Sequence, residues 1–117
     1  MEMFPKLKII DPPAHLLRRF LLAAKRKANE YKSGDCSGAL NYGHHSDLLG
    51  DVTMDDSSNS VYLTNTNVQS NWEFWDGKTR NGGSCGGVKL GLAPHMECNN
   101  LNDAYPGKRV RCVRFVD

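Results

Sequence analysis

Long hydrophobic runs are missing from this chain. The longest, Phe20 to Ala24, is far shorter than the roughly 20 residues a membrane-crossing helix needs. Closely spaced cysteine pairs are missing too. The four cysteines stand at Cys36, Cys85, Cys98 and Cys112, whereas zinc sites draw on ligand pairs such as C-x-x-C. His44 and His45 are adjacent, so on a strand or helix they point apart and make a poor chelate. No metal site is expected.

Catalytic signatures are equally scarce. There is no phosphate loop and no HExxH, and the chain reads as non-enzymatic. Basic charge is absent from Ser33 to Gly77, where seven Asp and Glu fall. Eight of the fifteen Lys and Arg lie between Lys6 and Lys32, and seven follow from Lys78 onward. Such partition gives polar faces of opposite sign. A nucleic-acid surface interleaves basic and aromatic residues. Here Phe20 and Tyr31 fit an apolar stripe instead, so no nucleic-acid partner is expected.

What is present is a loop-rich chain of 117 residues, 39% apolar, with 11 glycines and a net charge of +2. That length makes one domain with a modest core, which cross-links would help. Four cysteines in such a chain read as two disulfides in an exported protein, and the residues alone leave three pairings open. Met1 to Pro5 carries no basic region leading into an apolar run. An exported protein would therefore have its signal outside this sequence, and a cytoplasmic one would keep free thiols.

Residues 1–12 read as an N-terminal arm. Asp11-Pro12-Pro13 then opens a helix over 13–33. Leu17, Phe20, Leu21, Ala24, Ala28 and Tyr31 lie on one apolar stripe, the basic residues cover the rest, and Gly34 stops it. Residues 34–60 read as irregular. Asp55, Ser57 and Asn59 alternate like the first ligands of a calcium loop, but the later glycine and glutamate are absent, so this is a polar turn. Antiparallel sheet fills 61–117. Its strands are Val61–Thr66, Asn71–Trp75, Val88–Leu92 and Arg109–Val116, with a hairpin turn at Asp76-Gly77 and a polar loop from Pro94 to Asn102. The expected class is α+β: one long amphipathic helix, then an antiparallel sheet with long loops.

Tyr62-Leu63-Thr64-Asn65-Thr66, Trp72-Glu73-Phe74-Trp75 and Val110-Arg111-Cys112-Val113-Arg114 resemble the C-terminal half of the Fibrobacter succinogenes major paralogous domain and of the Legionella collagen-like adhesin C-terminal domain. The resemblance covers 61–117 and implies a C-type-lectin-like fold. Its cysteine order, carried onto this chain, implies the pairs Cys36–Cys112 and Cys85–Cys98. The Glu-Pro-Asn, Gln-Pro-Asp and Trp-Asn-Asp triplets of calcium-dependent sugar sites do not occur here, so no cofactor, calcium included, is carried over.

The expected function is a non-enzymatic binding module at the cell surface or outside the cell: an adhesin or pilus-associated lectin-like domain that takes a carbohydrate or protein ligand through its loops. Trp72 and Trp75, three apart on a strand, face opposite sides, which makes one core and the other a binding surface. Together with Asp76, Asn99, Asn100 and Asn102 they are the candidate ligand contacts. The alternative is a type IV pilin or minor pilin subunit, with the helix as the surviving half of a longer spine.

Overall fold

The computed structural model describes residues 26–64, 71–94 and 96–116. Along most of them buried and exposed side chains alternate with period two, as in strands covered on one face. Among the described residues there are eight strands: β1 Arg26–Tyr31, β2 Leu40–Ser46, β3 Asp51–Thr53 and β4 Ser60–Thr64, then β5 Asn71–Lys78, β6 Cys85–Ala93, β7 Glu97–Asn100 and β8 Cys112–Val116. They form two four-stranded antiparallel sheets, β2-β1-β4-β7 and β3-β8-β5-β6.

Register decides which side chains are inside. In the first sheet Ala28 lies opposite His44 and Leu63, and Glu30 opposite Tyr42 and Val61. In the second, Trp72 lies opposite Ala93 and Phe115, and Phe74 opposite Gly91 and Val113. Ala28, Val61, Leu63, Trp72, Phe74, Val113 and Phe115 all belong to one buried cluster. The two sheets therefore stack inner face to inner face, and Trp72 meets Phe115 edge-on at 5.3 Å between ring centroids.

Among the described residues the architecture is all-strand, which corrects the expected α+β class. No helix occurs among the described residues. The helix expected over 13–33 is overturned at its C-terminal end, where Arg26–Tyr31 is β1, paired on both sides by β2 and β4. Its residues suit a helix by propensity, but two flanking ladders and burial of Ala28 and Glu30 on one side outweigh that weak preference. Residues 1–25, with the expected arm and the start of the helix, lie outside the described residues. The segment 34–60, read as irregular, contains β2 and β3, and the Pro94–Asn102 loop contains β7.

The expected hairpin turn at Asp76-Gly77 lies inside β5 instead. Register shifts between Phe74 and Trp75 and between Trp75 and Gly77 bend the β5–β6 hairpin. The reversal comes later, over 79–84, where the Thr79 amide donates to the Ser84 carbonyl at 2.9 Å. This tip lies against β3: the Gly82 amide donates to Thr53 Oγ1 at 2.8 Å and the Cys85 amide to Asp51 Oδ2 at 2.9 Å. Gly82 has φ of +79°, a conformation that glycine adopts without steric cost.

Two disulfides are present, Cys36–Cys98 and Cys85–Cys112. They replace the expected pairs Cys36–Cys112 and Cys85–Cys98, and alternation explains why. Cys98 lies opposite Tyr62, between the inward Val61 and Leu63, so it faces away from the core. The loop carrying Cys36 folds over that same outer face, where its amide donates to Ser60 Oγ at 2.9 Å. Cys112 lies opposite Trp75 and next to the inward Val113, so it belongs to the outer face of the other sheet. A Cys36–Cys112 bond would have to pass through two sheets whose separation is about 10 Å, beyond the roughly 7 Å Cα limit of a disulfide. The bonds span separations of 62 and 27 residues, worth about 4 and 3.5 kcal/mol in the chain-entropy model.

Proteolytic peptide mapping without reductant is expected to yield cross-linked peptides joining 36 to 98 and 85 to 112. Recovery of a 36–112 or an 85–98 pair would overturn this topology.

Candidate functional site

The link over 47–50 carries the chain from β2 in one sheet to β3 in the other, so edge strands of both sheets meet at one corner. There the inner face of the first sheet runs past the cover of the second. Glu30, Tyr42 and His44 share that face and line one side of a cleft of about 230 Å³. The opposite side is Thr53 and Asp55 together with Asn81 and Gly82 from the hairpin tip.

Glu30 forms the floor and is 1% exposed. Taking a carboxylate out of water costs several kcal/mol unless it is paired and hydrogen-bonded. Here three donors offset the cost. The Asp55 amide and the Ser58 hydroxyl donate to Oε1, each at 2.7 Å. His44 Nε2 donates to Oε2 at 2.6 Å. Since Tyr42 is directly opposite Glu30 in the register, His44 is its diagonal neighbour across the strands. The His44 side chain is 31% exposed and Tyr42 is 50% exposed, so the pair presents a polar edge and an aromatic ring to the cleft.

The loop beneath is held by Arg109, whose guanidinium donates to the Ser58 carbonyl at 2.6 Å, the Asp55 carbonyl at 3.2 Å and Asn102 Oδ1 at 2.7 Å. Burial holds this arginine below its usual range. The Asp55 carboxylate folds back on the amide and hydroxyl of Ser57, and the Ser57 hydroxyl bond keeps it below the usual carboxylate range. The opposite wall is fixed by Lys78, whose ammonium donates to the Met54 carbonyl at 2.7 Å, Asp56 Oδ1 at 3.0 Å and Asn81 Oδ1 at 2.6 Å. Behind that wall Asp51 accepts two bonds from Arg114 at 2.7 and 3.0 Å. The Arg114 bond holds the Asp51 carboxyl below its usual range.

The six residues anticipated as ligand contacts are not brought together, and none lines this cleft. Trp72 is fully buried, and its indole donates to the Thr64 carbonyl at 2.9 Å, so no ring face is left for a ligand. Trp75 is on the outer face of the second sheet, with the Arg114 guanidinium 4.6 Å from its ring centroid. The two tryptophans do face opposite sides. Asp76 accepts the Val88 amide at 2.7 Å. Asn99 is 7% exposed and donates to the Pro94 carbonyl at 2.9 Å. Asn100 caps a turn by accepting the amides of Asn102 and Asp103. Asn102 bridges Asn59 to Arg109. These asparagines hold loops to one another.

Among the described residues no three His, Cys, Asp or Glu side chains gather to hold a metal ion, and no helix is long and apolar enough to cross a membrane. No protein-family model, curated protein or solved structure matches the chain.

Glu30→Ala leaves the Ser58 hydroxyl and the Asp55 amide unpaired in the interior and is expected to cost about 3 kcal/mol in urea unfolding, against about 1 kcal/mol for His44→Ala. The reverse order would remove Glu30 as the anchor. Asp51 carries a pH dependence of defined sign. Its folded pKa is depressed, so its contribution is present above the unfolded value of about 3.9 and is lost as pH falls through the folded one. Asp51→Asn is therefore expected to flatten the acid limb of the stability curve below about pH 4. An unchanged limb would show that the Arg114 pair does not act this way.

Proposed function

We propose that this chain is a non-enzymatic binding module that works at the cell surface or outside the cell, of adhesin type, and that it takes a carbohydrate or protein ligand in the cleft between its sheets. The observation that carries the reading is the half-exposed Tyr42 ring set beside the Glu30–His44 pair. An apolar face next to a few oriented polar groups is the composition that orients small ligands. A carbohydrate ring offers both complements, with C–H bonds for the aromatic face and hydroxyls for the polar edge. The disulfides support an oxidising compartment, because small domains with cross-links persist there. The pilin alternative drew on a helical spine, which β1 replaces over 26–31.

A glycan array probed with and without calcium tests this reading. Binding is expected to at least one neutral glycan. Tyr42→Ala should weaken it about tenfold, since an aromatic stack is worth on the order of 1 kcal/mol, and leave the melting temperature within a degree or two. A blank array removes the carbohydrate arm. Binding that survives Tyr42→Ala removes the cleft.

A further inference from the structure

We infer that the cleft takes neutral or basic, hydroxyl-bearing sugar rings and refuses acidic ones; this rests on the carbohydrate reading of the same site. Which lining atoms still have hydrogen-bonding capacity, together with the charge around them, decides what can bind.

His44 Nε2 carries its proton toward Glu30 Oε2. The other ring nitrogen, Nδ1, has no partner among the described residues and is open to a ligand hydroxyl, which can both donate and accept. Asp55 uses one carboxylate oxygen, Oδ2, on Ser57, which leaves Oδ1 as an anionic acceptor beside the cleft. The Asn81 amide nitrogen is a free donor, because its Oδ1 already accepts Lys78, and so is the Thr53 hydroxyl, whose oxygen accepts the Gly82 amide. Tyr42 can act either way. The lining thus offers both donors and acceptors, and sugar hydroxyls match both.

Charge points the same way. The two carboxylates of the lining, Glu30 and Asp55, would face any carboxylate, sulfate or phosphate on a ligand. The cations that hold the walls are committed elsewhere. Lys78 spends its donors on the Met54 carbonyl, Asp56 and Asn81, and Arg109 on two backbone carbonyls and Asn102. With no Lys or Arg in the lining, an anionic ligand meets like charge at close range and loses water without replacement. A volume of about 230 Å³ holds one monosaccharide unit against Tyr42, so the selection acts on a single ring.

The test uses the full chain and matched methyl glycosides in the gluco and galacto series: the neutral hexoside, the hexuronide and the 2-amino-2-deoxyhexoside, compared by titration calorimetry. In the series that binds, the neutral ring is expected to bind at least tenfold more tightly than the hexuronide. Asp55→Asn keeps a side-chain acceptor for the Ser57 turn and removes the charge. It is expected to narrow that ratio severalfold with the melting temperature nearly unchanged. A hexuronide that binds as well as the neutral ring overturns the inference, and so does an amino sugar that binds more than tenfold more weakly than the neutral ring, since the two carboxylates would then not govern the selection. A ratio that Asp55→Asn leaves untouched overturns the role given to Asp55. Failure of every glycoside in both series, alongside a blank array, sinks the carbohydrate reading itself, a separate result from loss of the neutral preference.

Discussion

Two antiparallel sheets with alternating side chains can each keep one face dry only by covering the other. Everything else in this structure follows from how completely that cover is made. Over Ala28, Val61 and Leu63 it is complete, because Trp72, Phe74, Val113 and Phe115 stand opposite and all share one cluster. At the corner where β2 passes β3 it is not. There the inward row of the first sheet continues as Glu30, Tyr42 and His44. An apolar residue at position 42 or 44 would be left partly in water. A glutamate with three donors around it closes the core, while its histidine partner faces the cleft.

The cross-links obey the same geometry from the other side. Since the inner faces are filled by the core, cysteines on the outer faces can be joined only to neighbours on the same face. Cys36–Cys98 therefore holds a loop over the first sheet, and Cys85–Cys112 holds the β5–β6 hairpin over the second. Neither bond ties sheet to sheet. That task falls to apolar burial, which at roughly 25 cal/mol per Å² is the larger resource.

This also marks what was legible in the residues. Val61-Tyr62-Leu63-Thr64 and Trp72-Glu73-Phe74-Trp75 announce strands because their alternation is clean. Val110, Cys112 and Val113 are buried and Arg111 is outward, as expected, although Cys112 and Val113 are buried on opposite faces. Residues 26–31 mislead because Ala28 and Tyr31, three apart, complete a helical stripe, whereas on a strand they face opposite sides. Read as a strand, Ala28 and Glu30 share a face, and a glutamate beside an alanine on the covered side of a sheet is the one signal that could have exposed the anchor of the cleft. The reading as a helix hid it. The disulfide pairing was beyond reach for another reason: it depends on which faces of distant strands point outward, and those follow from pairing partners that no local pattern names. The asparagines stand out by type, for their polarity; in the fold Asn99, Asn100 and Asn102 hydrogen-bond loop carbonyls, amides and side chains.

The two walls of the cleft are held by different means, and the difference bears on how it would work. The hairpin-tip wall is fixed by a covalent bond at Cys85, by Lys78 on three acceptors, by the Gly82 amide on Thr53 and by the Cys85 amide on Asp51, itself clamped by Arg114. The β2 wall is an edge strand joined to its surroundings by the β1 ladder, the His44–Glu30 contact and the Asn41 side chain on Ser57 and Ser58. A ligand pressed between them meets one wall already ordered and another whose polar contacts converge on Glu30 and the 57–58 turn. Binding incurs little ordering cost on the first. On the second, the same Glu30 hydrogen bonds that make the core tolerable also orient the imidazole, so stability and recognition draw on one buried carboxylate and cannot be varied independently.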